Sequence, residues 1–255
     1  NAEGFRVLGQ SYGTYAQKKL KQKKIVVASD YRSYSRGLTY AFITGVLASG
    51  VDVIDIGTKL TPILYYAQYH LDLPGGAMMT ASHNDNGWSG LKVAKGLSKT
   101  FGPDDIIEYK DIVYSEKYLE GQGTYSREYG LKENYVKDIV ESLKSAMGKK
   151  KLKIVISGGN GGGGIFLEEV LTNLGFEVVP INNELDWEFP HFNPNPEHLE
   201  FMHSLGKKVK EEGADLGLSV DGDGDRLGVV NEKGEEVFSD RIGLFIARYL
   251  CQDIN

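Results

Sequence analysis

The chain has 255 residues, enough for one large domain or two of moderate size, and its 41% hydrophobic and 25% charged content is typical of a globular protein. Lysine and arginine number 29 against 35 aspartates and glutamates, and the resulting net charge of −6 argues against a nucleic-acid-binding protein. No apolar run approaches the roughly 18 residues of a membrane span, so no membrane partner is expected. The single cysteine, Cys251, excludes an intrachain disulfide and predicts a reducing, cytoplasmic setting.

The first predicted elements form a strand–helix–strand unit. Residues 24–30 are a β-branched run that predicts a buried strand. Apolar residues then recur at helical spacing over 38–47, and Gly50 is placed to end that helix. A second strand is predicted at 51–56, and a third at 76–79 runs into a polar loop.

The same order of elements returns later in the chain. A strand at 153–156 is followed by a glycine-rich loop and a helix over 165–174, which Gly175 ends. Strands at 176–181 and 215–220 follow, and the second again leads into a polar loop. Strands that alternate with helices imply βαβ units, so we predict an α/β fold of two tandem domains, each a mixed, largely parallel sheet flanked by helices.

The domain boundaries are predicted from a basic stretch at 148–151, which is interpreted as a solvated linker. Residues 1–148 are expected to form the first domain and residues 149–235 the second. The apolar helical pattern within 236–255 is interpreted as the beginning of a third domain that the sequence does not contain. Both polar loops are expected beyond the carboxyl ends of their strands, where α/β sheets bind ligands.

The second polar loop has the composition of a hard-metal site. Asp221, Asp223 and Asp225 alternate with glycines, and three carboxylates this close repel one another unless a cation neutralises them. Oxygen ligands favour Mg²⁺ or Ca²⁺. An EF-hand would also use Glu232, but it requires glycine where Arg226 stands and helices where strands are predicted, so we reject it. An ordinary acidic turn is the remaining structural alternative.

The first polar loop, at 80–84, contains Ser82 and His83 at a strand end. It lacks the Gly-x-Ser-x-Gly frame of a hydrolase, and His83 is adjacent in the chain to Ser82 and so poorly placed as an in-line base. A hydroxyl that carries a phosphoryl group is one interpretation, and a plain loop serine is the other. The turn at 86–90 is expected to fold Lys92, a candidate acid or base, back toward Ser82.

The glycine-rich loop at 158–164 supports a competing function. It contains a G-x-G-x-x-G pattern between a strand and a helix, with Glu184 beyond the next strand as a candidate ribose ligand, which is the context of a dinucleotide site. A nicotinamide-dependent oxidoreductase is therefore one alternative. A non-catalytic sugar-phosphate-binding module is another. A tight strand-to-helix turn explains the loop without either function.

Taken together, the two polar loops resemble those of the α-D-phosphohexomutase superfamily, which includes phosphomannomutase and phosphoglucomutase. The resemblance rests on Thr-Ala-Ser-His-Asn at 80–84 and Asp-Gly-Asp-Gly-Asp-Arg at 221–226. Weaker matches lie at 29–35, 57–62 and 192–196. The resemblance covers nearly the whole chain, but it includes only the first two of the four family domains and the first helix of the third.

The resemblance implies a mutase that exchanges hexose 1-phosphate and 6-phosphate through a phosphoserine and a bisphosphorylated sugar. It implies a cofactor, Mg²⁺, and a phosphosugar as the partner. The implied catalytic residues are Ser82, Lys92, Arg226 and His83, and the implied magnesium ligands are Ser82, Asp221, Asp223 and Asp225. Ser82 would donate the phosphoryl group, Arg226 would neutralise its charge, and Lys92 would act as acid or base on the sugar hydroxyl.

Four departures from the family pattern bear on activity. The opening glycine-rich motif with its arginine is absent, Asp85 replaces a proline, and Ser157 stands where an acid is common. The sugar-recognition loop and the phosphate clamp of the later domains are also absent. We therefore expect this chain to bind Mg²⁺ but to show little mutase turnover.

Overall fold

A computed structural model describes residues 1–251 of the chain. The last four residues of the predicted third-domain segment lie outside this range. The chain divides into two units, Asn1–Asp138 and Ile139–Asn255. The division falls within the helix Leu131–Lys144, earlier than the boundary after residue 148 expected from the basic stretch. Among the described residues, no helix is both long enough and apolar enough to cross a membrane.

The helices, numbered in chain order, are α1 Ala2–Tyr15, α2 Ser35–Ala48, α3 Thr61–His70, α4 Pro103–Ser115, α5 Leu131–Lys144, α6 Gly162–Asn173, α7 Leu199–Glu212 and α8 Ser239–Leu250. A π-helical turn, Ala16–Leu20, extends α1. The strands are β1 Lys24–Ser29, β2 Asp52–Thr58, β3 Gly75–Met79, β4 Leu91–Gly96, β5 Lys99–Thr100, β6 Tyr125–Arg127, β7 Lys153–Ser157, β8 Glu177–Ile181, β9 Leu216–Val220, β10 Leu227–Asn231 and β11 Glu236–Val237.

The sheet of the first unit has the strand order β5-β4-β3-β1-β2-β6. Strand β1 lies at its centre and pairs in parallel with both β2 and β3, and β2 pairs in parallel with β6. Strands β4 and β5 continue the sheet in antiparallel fashion beyond β3. The α/β prediction of a mixed, largely parallel sheet is confirmed for this unit.

The sheet of the second unit repeats this order as β11-β10-β9-β7-β8. Its central strand β7 pairs in parallel with β8 and β9, and β10 and β11 are antiparallel. Strands β7, β8, β9 and β10 therefore occupy the positions of β1, β2, β3 and β4. The internal repeat predicted from the order of apolar runs and glycines is confirmed as a repeat of topology.

Glycines end the corresponding helices of the two units. Gly50 follows α2 with a φ of 85°, and Gly175 follows α6 with a φ of 86°. Both lie in the left-handed region, where a side chain would be strained, so each helix stops at the glycine and the chain turns into the next strand.

Burial follows the strand pattern. In the first unit, five of the six residues of β1 are buried, and α1 and α2 cover the sheet with a core that includes Tyr12 and Phe42. In the second unit, Val155 of β7 faces a core with α7, and its neighbours Ile154 and Ile156 face a core with α6. Alternate side chains of a strand point to opposite faces, so this sheet is covered on both sides.

The last described helix, α8, has no buried residue. Five of its large apolar side chains are exposed over more than half of their surface: Leu244, Phe245, Ile246, Tyr249 and Leu250.

Candidate active site

The Ser82 loop begins where the buried strand β3 ends. Ser82 has a φ of 53°, in the left-handed region that non-glycine residues rarely adopt. Its amide donates to Thr80 Oγ1 at 2.8 Å, and the amide of Asn84 donates to the carbonyl of Ala81 at 2.9 Å. These bonds form a tight turn that holds the Ser82 hydroxyl just beyond the carboxyl end of β3.

A buried carboxylate, that of Asp30 just after β1, organises the base of this loop. It accepts hydrogen bonds from Arg32 Nη1 at 2.6 Å, from the Arg32 amide at 3.2 Å and from the Ala81 amide at 3.2 Å. The hydroxyl of Ser35 also donates to it. Asp30 and Arg32 are only 1% and 3% exposed, so the ion pair is shielded from water.

The Arg32 guanidinium extends this support to the loop backbone. Its Nη2 donates to the carbonyl of Ser82 at 3.2 Å and to the carbonyl of Asn84 at 2.5 Å. One side chain thus binds the carbonyls on both sides of His83. Because these carbonyl positions depend on the left-handed turn at Ser82, Arg32 is placed to stabilise that strained conformation.

Tyr34 fixes the outer part of the same loop. Its hydroxyl donates to the carbonyl of Trp88 at 2.7 Å and accepts from the amide of Gly87 at 3.1 Å. The chain then returns as β4, in which Lys92 pairs with Met78 of β3. The fold-back of Lys92 onto the strand that leads to Ser82 is therefore present, while its role as acid or base stays a prediction.

His83 contacts the hydroxyl of Ser82. Its Nδ1 lies 3.3 Å from Ser82 Oγ, a long hydrogen bond whose direction depends on the imidazole tautomer. The two residues are adjacent in the chain, and a catalytic role for His83 stays a prediction.

The acidic loop joins β9 to β10 in the second unit. Asp221 and Asp223 are fully buried, Asp225 is exposed, and one carboxylate oxygen of each lies within 4.8 Å of the others. Opposite ligands of a magnesium ion are separated by about 4.2 Å, since each Mg–O bond is about 2.1 Å. The three carboxylates therefore approach the spacing of a coordination shell for a hard cation.

The loop backbone wraps around Asp221. Its Oδ1 accepts hydrogen bonds from the amides of Asp225 at 3.0 Å and Arg226 at 3.1 Å. Gly224, with a φ of 76°, makes the turn, and its amide donates to the carbonyl of Asp221 at 3.2 Å. Burial, together with the charges of Asp223 and Asp225, raises the pKa of Asp221 to about 7. Such mutual repulsion is what a bound cation would relieve.

Arg226 forms an ion pair with Glu197. Its Nη1 lies 2.8 Å from Glu197 Oε1, and both side chains are partly exposed. They line an open cavity of about 490 Å³ at the edge of the second unit. The sequence analysis did not identify Glu197 as a site residue. Its position directly after the family-like segment 192–196 was the signal that could have identified it.

The glycine-rich loop packs against the protein itself. A Cβ on Gly158 would lie 2.6 Å from the Cα of Gly164, and one on Gly159 would lie 3.0 Å from the Cα of Pro194. A Cβ on Gly164 would overlap the side chain of Asn183. These glycines permit close contacts within the unit, which agrees with a tight strand-to-helix turn.

The structure brings the predicted site residues together in two groups. Ser82, His83 and Lys92 lie around the end of β3, and the three aspartates and Arg226 lie around the end of β9. Since β3 and β9 have equivalent positions in the two sheets, the groups occupy corresponding places in the repeat. The sequence analysis gave the segment 29–35 only as a weaker family match and assigned no role to Asp30 or Arg32, although this motif follows a predicted strand.

Comparison with known proteins agrees with this architecture. Residues 1–118 match the family model for phosphoglucomutase/phosphomannomutase alpha/beta/alpha domain I, and residues 133–234 match the model for domain II. A phosphomannomutase/phosphoglucomutase of Pseudomonas syringae is 34% identical over 97% of this chain and 52% of its own length. A probable phosphoglucosamine mutase of Pyrococcus abyssi is 34% identical over 96% of this chain and 53% of its own length.

A solved structure gives the same result. The crystal structure of a phosphoglucomutase/phosphomannomutase family protein from Burkholderia thailandensis matches with a TM-score of 0.89 and 30% identity, over 98% of this chain and 55% of that one.

The chain therefore belongs to the phosphoglucomutase/phosphomannomutase family, within the α-D-phosphohexomutase superfamily, and contains its domains I and II. It spans about half the length of the curated relatives it matches. The reported relatives are named as mutases, and none of them is named as a nicotinamide-dependent oxidoreductase.

Proposed function

We propose that the protein is a phosphohexomutase, which moves a phosphoryl group between the 1- and 6-positions of a hexose through a phosphoserine at Ser82. The observation that carries this proposal is the repeat itself: a serine held in a strained turn ends β3, and three convergent carboxylates end the equivalent strand β9. Family membership supports the reaction class.

In the proposed reaction, a sugar hydroxyl attacks phosphorus of the Ser82 phosphoryl group. The new P–O bond forms to the sugar, the bond to Ser82 Oγ breaks, and Ser82 keeps the bonding electrons and takes up a proton. The product is a bisphosphorylated hexose, and transfer of its other phosphoryl group back to Ser82 completes the exchange. Lys92 is proposed to move the proton of the sugar hydroxyl, and His83 to orient Ser82 Oγ.

We propose Mg²⁺ as the cation, held by Asp221, Asp223 and Asp225. All-oxygen, carboxylate-rich sites favour this class of ion. The family resemblance adds the Ser82 phosphoryl group as a further ligand. The bound cation would neutralise charge on the phosphoryl oxygens, and Arg226 is proposed to add to that neutralisation once released from Glu197.

The first prediction is a stable phosphoryl group on Ser82. After incubation with glucose 1,6-bisphosphate and Mg²⁺, intact-mass spectrometry should show one added phosphoryl group, and peptide mapping should place it on Ser82. Ser82→Ala should abolish the addition, and Ser89→Ala, a serine in the same loop, should leave it unchanged. A phosphoryl group that persists in the Ser82→Ala protein would contradict the proposal, and the absence of any phosphoenzyme would favour a sugar-phosphate-binding module.

The second prediction concerns turnover by the 255-residue chain. Because the chain covers about half of its relatives, we expect it to accept a phosphoryl group but to isomerise hexose phosphates little. A coupled assay with glucose 1-phosphate or mannose 1-phosphate would measure this. Robust isomerisation, at a rate typical of enzymes of about 10 per second, would contradict the expectation.

The substrate class is proposed as hexose monophosphates, because the relatives are named as mutases of mannose, glucose and glucosamine phosphates. We also propose a cytoplasmic location. It is supported by the single cysteine, Cys251, which allows no intrachain disulfide.

A further inference from the structure

A second charged cluster lies in the first unit, on the side of the sheet opposite β5. Strands β2 and β6 are parallel, with Asp55 paired to Arg127, so their carboxyl ends meet at this edge. Lys59 follows β2, and Arg127 ends β6. The two cations are therefore brought to the same corner of the sheet by its topology.

The buried carboxylate of β2, that of Asp55, is already engaged by other groups. Asp55 is completely buried and accepts two hydrogen bonds from Arg36, at 3.1 and 2.6 Å. It also accepts from the Gly57 amide at 2.8 Å and from the Tyr125 hydroxyl at 2.9 Å. These bonds lower the pKa of Asp55 despite its burial, so its charge is present and is balanced by Arg36.

Lys59 and Arg127 have no such partner. Within residues 1–251, neither forms an ion pair with a carboxylate, and Lys59 Nζ makes one long hydrogen bond, to the carbonyl of Thr58 at 3.3 Å. Arg127 stacks over the ring of Tyr129, with its Cζ 5.4 Å from the ring centre. A Cβ on Gly57 would lie 3.0 Å from Arg127 Nη2, so the glycine allows the guanidinium to lie close to the backbone that leads to Lys59.

The surroundings of Lys59 show an excess of positive charge. Burial, together with the charges of Arg127 and Lys132, lowers its pKa, and the charges of Glu133 and Asp55 act in the opposite direction. Lys59 and Arg127 thus bring two cationic groups to one corner of a protein whose overall charge is −6.

We propose that Lys59 and Arg127 form an anion-binding site, separate from the Ser82 loop, for the phosphoryl group of a small phosphorylated molecule. A phosphate monoester carries about −1.5 to −2 charges at neutral pH, which matches the local excess. Arg127 offers a planar fork of donors, and Lys59 offers a mobile ammonium group with two further protons to donate.

The site shares no residue with the reaction proposed for Ser82. Lys59 lies within the segment matched by the domain I model, residues 1–118, whereas Arg127 lies between that segment and the one matched by the domain II model, which begins at residue 133. The two proposals can therefore be tested separately.

Residue-resolved NMR tests the site in the 255-residue protein. In a titration with inorganic phosphate at constant ionic strength and without Mg²⁺, the amides of Gly57, Lys59 and Arg127 should shift saturably. Lys59→Met and Arg127→Gln should each weaken phosphate binding at these amides at least tenfold. Lys99→Met, which removes an exposed lysine from the opposite edge strand β5, should not change it. Chemical-shift changes at the Ser82 loop are measured in the same spectra but evaluated separately. Absence of phosphate binding at one site therefore does not affect the test of the other.

Three outcomes would overturn the proposal. The wild-type shifts could fail to saturate, chloride at the same ionic strength could reproduce them, or both substitutions could leave them unchanged. A further arm compares glucose 6-phosphate with a phosphoserine peptide. Binding of glucose 6-phosphate at Lys59 and Arg127 supports a small ligand, and binding of the peptide alone contradicts it.

Discussion

Replacement of Arg32 by methionine is expected to lower the free energy of unfolding of the first unit by about 3–5 kcal/mol. The substitution leaves the carboxylate of Asp30 buried without its ionic partner, and breaking a buried pair in this way typically costs that much. It also removes the donors to the carbonyls of Ser82 and Asn84. We therefore expect the strained turn at Ser82 to relax and phosphorylation of Ser82 to be lost.

Urea denaturation measures this loss of stability, and hydrogen exchange of the β1 and β3 amides serves as the readout for the first unit. Arg6→Met is the matched control, because Arg6 pairs with Glu3 on the exposed face of α1, where water screens the ion pair and its loss should change stability little. Arg32→Lys keeps the positive charge beside Asp30, but the lysine ammonium cannot bind Asp30 and two carbonyls at once. It should therefore retain more of the stability of the first unit than of the phosphorylation of Ser82. A loss below 1 kcal/mol for Arg32→Met would contradict the role assigned to the pair.

The metal-free protein is expected to lose stability in its second unit as the pH rises from about 4 to about 7. Burial and the neighbouring aspartates raise the pKa of Asp221 from 3.8 to about 7 in the folded state. In this interval the folded state binds the proton more tightly than the unfolded chain, so removing the proton disfavours folding. The shift corresponds to a loss of at most ~4 kcal/mol, which is complete above pH 7.

Divalent cations should reverse this dependence, since a cation favours the ionised carboxylates. Denaturation at pH 5 and pH 8, with EDTA or with Mg²⁺, should show that Mg²⁺ stabilises the β7 and β9 amides mainly at the higher pH. Asp221→Asn retains an acceptor for the amides of Asp225 and Arg226 but has no charge, so it should abolish the pH dependence and weaken Mg²⁺ binding. A metal-free protein that becomes more stable between pH 5 and pH 8 would contradict the assignment.

Much of the architecture could be predicted from the sequence because burial and helix termination leave local signals. The apolar runs of β1 and β7 are buried in the structure, and Gly50 and Gly175 end the helices where expected. The repeat was recognisable for the same reason, since each unit uses the same order of strand, helix, glycine and strand.

Helix α1 was not predicted, and its composition explains why. Gly9 and Gly13 lower its helix propensity, but the structure uses them for close packing against α2. A Cβ on Gly9 would overlap the carbonyl of Phe42, and one on Gly13 would overlap the hydroxyl of Ser49. This favourable contact between helices is invisible to a local pattern.

The loops of the candidate site were predictable, but their support was not. The spacing of Asp221, Asp223 and Asp225 indicated a cation site because mutual repulsion follows from their proximity in the chain. The contact of Arg32 with the carbonyl of Ser82 joins residues far apart in sequence, so only the parallel pairing of β1 with β3 reveals it.

The central position of β1 has a consequence for biosynthesis. Strand β1 is made before both of its neighbours, and β3 follows only after residue 74 has been added. The ribosome adds roughly 5–20 residues per second, so the apolar strand β1 is exposed for several seconds before β3 can pair with one of its edges. The second unit repeats the delay between β7 and β9, so chaperone binding during translation should concentrate on these two segments.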